Sequence, residues 1–437
     1  MSFKSSFLLF SFLAFVPAAQ AQKKKKEKIE KSPEQTLVYN NVDYLPVIKS
    51  VECNPQGQEQ GFPLIHLNSE ETLSIAFDDL RADNRNYYFS IEHCNASWGS
   101  SNLNSLEYMD GFNSDRIYQF EGSVNTLKPY THYSFTFPSK NLKPKLAGNY
   151  LLKVYEGGSE SRLVITRRIY VLDEKAALQV QILPSIEVTK RMTNQKLNVS
   201  VNTGSLRLTN PFQDIKLQVM QNGRQDVQEI LTRPMYVQDN LLQYFNNKTL
   251  DFQAGNEFRF VDLRSLRLKS ERVASLYRDS QVTVNLVTDH DQSTEKYTSS
   301  FDENGAFYIR NQDMDQQLNS ADYAKVTFSL DIPRQTDGDI YLVGAFNSYI
   351  RNQENRLIYS PENNRYEVTL WLKQGLYDYS YSYVNSAGDL DPQRINGNHF
   401  ETGNNYQVLC YFRKPGTTWD VLVGFNNSTT KKSTNII

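Results

Sequence analysis

The 437-residue chain has few of the residues that usually carry catalysis or metal binding. Its five histidines lie far apart, without the spacing of metal ligands: His66, His93, His132, His290 and His399. The sequence contains no G-x-S-x-G, H-E-x-x-H or C-x-x-C motif and no phosphate-binding loop. Asp78 and Asp79 are adjacent, so on a strand they point to opposite faces and do not form a carboxylate pair. We therefore expect no catalytic residues, no metal site and no cofactor.

Two further absences narrow the class of protein. The formal net charge is −2 and the isoelectric point is near 6.3, so the chain lacks the basic excess of a nucleic-acid-binding protein. No segment after the first 21 residues approaches 18 consecutive apolar residues, the least that a membrane-spanning helix requires. We expect neither a nucleic-acid partner nor a membrane span.

The N-terminus has the pattern of a secretory signal peptide. Lys4 supplies a positive charge, residues 7–16 form an apolar run too short to span a bilayer, and Ala19-Gln20-Ala21 is a small-x-small cleavage site. The sequence therefore predicts a signal peptide at 1–21. The KKKKEK run that follows predicts a Lys-rich disordered leader at 22–37.

The chain has only three cysteines, Cys53, Cys94 and Cys410. Cys53 and Cys94 fall in the same predicted domain and could form a disulfide in an oxidising compartment. Alternatively, Cys94 is a buried free thiol that packs as a small hydrophobic residue. The sequence favours neither, and we expect Cys410 to be free.

The abundant residues predict sheets. The chain has 27 Tyr and 24 Phe, and apolar and polar residues alternate in short runs such as Leu73, Ile75 and Phe77. Gly, Asn and Pro turns separate these runs. We therefore predict an all-β fold of three consecutive β-sandwich domains, immunoglobulin-like or early-set-like. The predicted domains are 38–173, 177–312 and 323–423, and a polar tail follows at 424–437.

The third predicted domain is rich in tyrosine. Its opening IYLVGAFNSY, at 340–349, resembles the apolar-Gly-x-Phe-Asn-x-Trp pattern of early-set sandwiches of the glycogen-binding type, with Tyr349 where Trp is usual. Four tyrosines further on alternate along one strand and share one face: Tyr377, Tyr379, Tyr381 and Tyr383. This face either fills the core or, with Tyr349 and Trp371, forms a protein interface or a ligand surface.

A charged block, GNEFR, lies at 255–259 in the second predicted domain. Glu257 and Arg259 would share one face of a strand. They are candidates for a charged contact surface, and a surface ion-pair ladder is the alternative.

Seven blocks in fixed order carry a resemblance to a known family. They are IAFDDL (75–80), EHCNASW (92–98), YMDGF (108–112), YTHY (130–133), GNY (148–150), Arg167-Arg168 and GNEFR (255–259). In this order, from about residue 38 to 424, the chain resembles the plug protein of the type IX secretion system.

The resemblance implies a non-enzymatic periplasmic protein. It implies that the chain binds the periplasmic end of the giant outer-membrane β-barrel translocon and seals its pore when no export is under way. We expect a monomer within a hetero-complex, associated with the outer membrane through the translocon. Two alternatives remain: a carbohydrate-binding accessory protein for surface glycan use, and a hydrolase that pairs Cys94 with a distant histidine such as His132.

Overall fold

The computed structural model describes residues 30–314 and 319–430. The predicted signal peptide at 1–21 and residues 22–29 of the predicted leader lie outside them. The end of the leader does not match the prediction of disorder, because it packs on the first sandwich. Ser32 N donates to Glu156 Oε2 at 2.8 Å, and Gln35 N donates to Ser161 O at 2.8 Å. Within the described ranges, no helix has both the length and the apolar character needed to cross a membrane.

The first sandwich forms because alternate residues of its strands are apolar and face inward from two sheets. Its strands are β1 (Val42–Asp43), β2 (Ile48–Pro55), β3 (Leu64–His66), β4 (Leu73–Asp79), β5 (Tyr87–Cys94), β6 (Met109–Gly111), β7 (Asp115–Arg116), β8 (Gln119–Gly122), β9 (Thr131–Phe137), β10 (Leu142–Pro144), β11 (Gly148–Glu156) and β12 (Leu163–Leu172), with the helical turn α1 (Ser105–Tyr108). One sheet has the order β1-β12-β11-β5-β7 with β3 beside β12, and the other has the order β2-β4-β9-β8.

The second sandwich begins after a short link. This part contains β13 (Ala177–Pro184), β14 (Asn194–Asn202), β15 (Ile215–Gln221), β16 (Gln228–Leu231), β17 (Tyr236–Gln238), β18 (Leu241–Tyr244) and β19 (Asp251–Gln253), with a 3-10 turn (Val188–Lys190) and the helical turn α2 (Pro211–Asp214). One sheet, β13-β14-β18-β17 with β19 beside β14, is complete. The other has only β15 and β16 at this point of the chain, so the sandwich is unfinished.

The third sandwich is inserted at this point. It contains β20 (Arg259–Asp262), β21 (Val273–Arg278), β22 (Val282–Leu286), β23 (Asp289–His290), β24 (Phe307–Ile309), β25 (Tyr323–Asp331), β26 (Gly338–Val343), β27 (Ile358–Ser360), β28 (Arg365–Lys373), β29 (Gly375–Asn385) and β30 (Leu390–Asp391), with a 3-10 turn (Ala345–Asn347) and the helical turn α3 (Gln393–Asn396). One sheet has the order β20-β29-β24, with β26 and β30 also on β29. The facing sheet has the order β21-β22-β25-β28-β27, with β23 beside β25.

The last two strands, β31 (Asn405–Phe412) and β32 (Val421–Thr429), return to the second sandwich. They extend its unfinished sheet to β16-β15-β31-β32, and Val408, Cys410 and Val423 join its core. The all-β sandwich fold is therefore confirmed, but the strand pairing differs from the predicted divisions at 177–312 and 323–423. Residues 424–429, predicted to be a polar tail, belong to β32, because their main chain pairs with β31.

Candidate functional site

The first and second sandwiches meet through an apolar junction. We use this name for a cluster of buried residues from the two sandwiches: Cys94, Ala96, Trp98, Leu151, Tyr170 and Leu172 from the first, and Met220, Leu409, Tyr411 and Leu422 from the second. It contains the core of the EHCNASW block. This block is thus a packing surface, which explains why its residues belong together without forming a catalytic arrangement.

A tight turn places Trp98 in the apolar junction. The Trp98 backbone is left-handed (φ +63°), which is uncommon for a large side chain and turns the ring inward. The Arg168 guanidinium lies 4.5 Å from the centre of the Trp98 ring, and Tyr170 packs edge-on against it. Ala96 N donates to Asp420 Oδ2 at 3.0 Å, so the turn is also bonded to the second sandwich.

The GNY block fits against the same junction. A Cβ atom on Gly148 would lie 2.5 Å from His93 Nε2, so only glycine allows this approach (φ +146°). The adjacent Asn149 accepts a hydrogen bond from Tyr411 OH at 2.8 Å across the junction. Burial lowers the pKa of His93 to about 4, so this histidine is neutral and structural near pH 7.

The first and third sandwiches meet through a charged junction, centred on the fully buried Asp78. His132 Nδ1 lies 2.6 Å from Asp78 Oδ1, and Lys373 Nζ and Tyr323 OH lie 2.7 and 2.6 Å from Asp78 Oδ2. Burial alone would raise the pKa of Asp78, but Lys373 and His132 hold it below its ordinary value. Asp78 is therefore ionised and joins two sandwiches through charge.

Aromatic rings surround this ionic pair. Lys373 Nζ lies 4.2 Å from the centre of the Tyr130 ring, and Tyr130 OH donates to Ala321 O at 2.8 Å. Asp322 accepts bonds from the main-chain N–H groups of Leu127 and Lys128. The IAFDDL and YTHY blocks thus supply half of the charged junction. Lys373, Tyr323 and Asp322, which supply the other half, were not singled out in the sequence.

The GNEFR block closes the point where the chain leaves the second sandwich and later returns. Gly255 N donates to Asn398 Oδ1 at 2.8 Å, and Gly403 N donates to Glu257 Oε1 at 3.1 Å. Arg259 is an ion-pair partner of Asp289, with 3.6 Å between Nε and Oδ1. Because Glu257 and Arg259 are both buried, neither the contact surface nor the surface ladder predicted for them is present.

The row of tyrosines on β29 lies in the core of the third sandwich. Tyr377, Tyr379, Tyr381 and Tyr383 are all buried. Three of the hydroxyls donate to groups inside the protein: Tyr377 to Lys373 O at 2.7 Å, and Tyr379 and Tyr381 to Asp289 Oδ2 at 2.9 and 2.7 Å. Because all four rings are buried in the core, the alternative of an interface or ligand surface is wrong for these four residues.

Two other aromatic candidates lie at contacts between sandwiches. Tyr349 is buried, its hydroxyl donates to Gly305 O at 3.1 Å, and Arg224 of the second sandwich lies 4.5 Å from its ring centre. Trp371 is partly exposed and lies between Lys128 and Lys325, one from each sandwich of the charged junction. Tyr349 therefore offers no stacking surface to a sugar, and the pattern that suggested one serves the fold.

The cysteines are free thiols in this structure, so the Cys53–Cys94 disulfide is not formed. Cys94 and Cys410 are buried, and Cys53 packs against the core of the first sandwich. Burial raises the pKa of all three thiols to about 12, which makes them poor nucleophiles. Cys94 lies in the apolar junction and His132 in the charged junction, so the proposed Cys–His pair does not assemble.

Several large apolar side chains are exposed in one segment of the first sandwich, between β5 and β9. We call residues 106–127 the apolar segment. Leu106 is 72 % exposed, Phe112 66 % and Tyr118 70 %, and smaller exposed surfaces follow at Phe120 and Val124. In the sequence, only the YMDGF block, which contains Phe112, pointed to this segment.

The fold and its junctions define the class: an all-β protein of three sandwiches, one inserted into another, in which the described residues from Ser32 onward form one compact unit. Residues 48–173, the first sandwich, match the family model described as type 9 secretion system plug protein 1st domain. This match confirms the resemblance to the plug protein family of the type IX (type 9) secretion system that the sequence blocks predicted.

A solved structure extends the likeness beyond the first sandwich. The crystal structure of a hypothetical protein from Parabacteroides merdae is similar to 90 % of this chain and 100 % of that chain, with 28 % identity and a TM-score of 0.86. No curated protein matches the chain.

Proposed function

We propose that this chain is a non-enzymatic periplasmic plug, which binds the periplasmic end of the outer-membrane translocon barrel of the type IX secretion system and closes its pore between export events. The observation that carries this proposal is the family match over the first sandwich. The signal peptide predicted at 1–21 would deliver the chain to the periplasm.

The junctions support a role as a plug. A pore that passes folded proteins must be closed by a body that keeps its shape. The apolar junction and the charged junction attach the first sandwich to the second and to the third. Because buried contacts rather than free linkers join them, we expect little relative motion of the sandwiches.

The apolar segment supplies the docking surface in this proposal. It lies within the part of the chain that matches the family model, and its large exposed side chains could enter pockets on the barrel. Charged neighbours such as Asp110 and Arg116 make the surface partly polar and partly apolar, as reversible docking requires.

A pull-down tests the binding step. The chain, tagged after Ile437, is recovered from outer-membrane extract in mild detergent, and its partners are identified by mass spectrometry. We expect a very large β-barrel in near-equal amount. Recovery without that barrel, or with glycan-uptake proteins instead, would contradict the proposal.

A matched pair of variants tests the docking surface. The triple change Leu106→Ser, Phe112→Ser and Tyr118→Ser should reduce barrel recovery at least tenfold, because it removes three exposed apolar side chains. The control, Val188→Ser with Met192→Ser, removes two side chains of similar exposure from the second sandwich. Equal loss of barrel recovery in both variants would show that the apolar segment is not the docking surface.

Outer-membrane permeability tests the sealing step. Deletion of the gene should raise the entry of large antibiotics or dyes into the cells. Unchanged permeability would rule out sealing even if the barrel is bound.

A further inference from the structure

A cleft lies where the three sandwiches meet, and neither the fold nor the proposed plugging uses it. We call it the central cleft. Its volume is about 340 Å³, and its walls are formed by β2 of the first sandwich, the Asn222-Gly223 turn of the second and the segment from Glu303 to Phe307 of the third. This volume falls in the range of small-ligand sites, roughly 300–1,000 Å³.

The wall from the second sandwich is internally bonded. Asn222 Nδ2 donates to Asn404 Oδ1 at 2.7 Å, and Gly223 N donates to Gln407 Oε1 at 2.6 Å. Gln407 Nε2 in turn donates to Asn427 Oδ1 at 3.0 Å. These groups already hydrogen-bond to one another. This wall is therefore rigid and has few unpaired polar groups for a ligand.

The walls from the first and third sandwiches carry free polar groups. Gln60 Nε2 and Asn304 Oδ1 are both buried and have no hydrogen-bond partner among the residues that the structure describes. Both side chains line the cleft. A buried polar group without a partner costs about 1–3 kcal/mol, so one donor and one acceptor here are available to a ligand.

The cleft also contains an open sheet edge from the first sandwich. β2 is the terminal strand of its sheet. Gln56 N donates to Thr72 O, and the register continues this ladder to the pair Asn54–Ser74. Hydrogen-bonded pairs alternate along an antiparallel ladder, so the main-chain groups of Cys53 point away from β4. No main-chain partner for them lies within 30–314 or 319–430.

A second open edge comes from the third sandwich. β24 ends its sheet beside β29. Asp378 N donates to Ala306 O at 3.0 Å, and Arg310 N donates to Gln374 O at 3.1 Å. By the same alternation, the main-chain groups of Phe307 point away from β29. They too have no main-chain partner in the described part of the chain. Two strand edges from different sandwiches thus line one cleft.

The charges of the lining residues cancel. The lining carboxylates are Glu52 and Glu303, and the lining guanidinium groups are Arg167 and Arg168. Arg167 is already paired with Asp43 at 2.6 Å. Burial raises the pKa of Glu52 to about 7, so near neutral pH its carboxyl is partly uncharged. The cleft therefore suits a ligand without net charge.

The aromatic rings of the cleft are turned toward one another. Phe62 stacks on both Tyr170 and Phe425, with centroids 4.6 and 5.3 Å apart, and Phe307 stacks on Tyr377 at 5.6 Å. Sugar recognition depends on free aromatic faces. Alternating main-chain donors and acceptors instead match a peptide backbone, which binds by adding a strand to an open edge.

We propose that the central cleft binds a short, extended, uncharged peptide segment, which hydrogen-bonds to the exposed edges of β2 and β24 and to Gln60 and Asn304. This role is independent of pore sealing, because a chain that fails to bind the barrel can still bind such a peptide in isolation.

The test uses the purified full chain and an array of end-capped decapeptides randomised over Gly, Ser, Thr, Asn, Gln and Val. We expect saturable binding of a subset, measured by calorimetry on the best sequences. Hydrogen exchange should show that the amide N–H groups of Cys53 and Phe307 become protected in the complex. Binding without this protection would place the peptide elsewhere and overturn the proposal.

Two variants, and a panel of neutral oligosaccharides tested in place of the peptides, complete the test. Asn304→Gly removes the carboxamide but keeps a residue that accepts its positive φ (+53°), and peptide affinity should fall about tenfold. Asn68→Gly, at an exposed residue of φ +61° outside both the cleft and the apolar segment, is the control and should bind normally. No binding by any peptide, or binding of neutral oligosaccharides that Asn304→Gly abolishes, would overturn the proposal.

Discussion

The apolar junction and the charged junction join the first sandwich to its two neighbours by different physics. The apolar junction buries mainly rings and aliphatic side chains, whose association needs no particular protonation state; its one carboxylate contact described above is that of Asp420 with Ala96 N. The charged junction removes Asp78 and Lys373 from water, and only their mutual contact compensates for that loss. One junction should therefore tolerate imperfect partners, while the other should fail when either partner is changed.

The largest expected effect is that of breaking the buried ion pair. Lys373→Met leaves Asp78 ionised and buried without its main counter-ion, and should lower the free energy of unfolding by about 3–5 kcal/mol. Adding Asp78→Asn to this variant should recover at least half of the loss. Urea unfolding, followed by Trp371 fluorescence with Trp98 and Trp419 changed to Phe, measures both.

Lys325→Met is the control for that experiment. Lys325 lies over Trp371, whereas Lys373 lies over Tyr130, and Lys325 forms no part of the ion pair, so its loss should cost less than about 1 kcal/mol. If the Lys373 and Lys325 variants lost equal stability, the charged junction would not depend on its ion pair.

The apolar junction should show a smaller and more graded response. Trp98→Leu keeps an apolar side chain but loses ring contacts and the stacked guanidinium of Arg168, so we expect a loss of roughly 2 kcal/mol. Trp419→Leu, at a partly exposed residue, should cost little. Urea unfolding in low and high salt should give the same loss for Trp98→Leu, and a strong salt dependence would contradict the apolar description.

Acid should open the two junctions in a fixed order. The pKa of Asp78 is lower in the folded chain than in the unfolded chain, so its stabilisation is present above about pH 4 and is lost as pH falls through the folded pKa. We expect Trp371 fluorescence to change on acidification before that of Trp98, each in a single-tryptophan variant. A simultaneous change in the fluorescence of Trp371 and Trp98 would refute this order. So would the same order in the double variant Asp78→Asn with Lys373→Met, which lacks the ion pair.

The smallest effect concerns the thiol of the apolar junction. Because the pKa of Cys94 is raised to about 12 by burial, native protein should react with iodoacetamide at Cys94 only after unfolding. Cys94→Ala should cost about 1 kcal/mol and leave partner binding unchanged. Rapid native labelling of Cys94 would mean that the junction opens.

Local pattern was sufficient to predict several strands and their inward-facing residues. Alternation along β4 and β11 depends only on neighbouring residues, and it identified Leu73, Ile75 and Tyr150 as inward-facing correctly. The tyrosines of β29 were also placed on one face. What the pattern could not decide was whether that face met a core or a partner, since both bury tyrosine.

The junctions could not be predicted because their partners are far apart in sequence. Asp78 meets Lys373 across 295 positions, and Asn149 meets Tyr411 across 262. A single charged residue in an apolar strand gives no indication of its counter-ion. Likewise, β31 has the same alternation as any other strand, so nothing in it shows that it joins the second sandwich.

The insertion sets the order in which the second and third sandwiches can be completed during synthesis on the ribosome. The second sandwich waits for β31 and β32, which emerge only after the whole third sandwich has been made. Until then, β15 is paired with β16 on one side only. Its other edge has unpaired main-chain groups, which can associate with other chains. The third sandwich can complete its own sheets first and so bring the two ends of the gap together. The inserted third sandwich can therefore be completed before the second, which only the last two strands close.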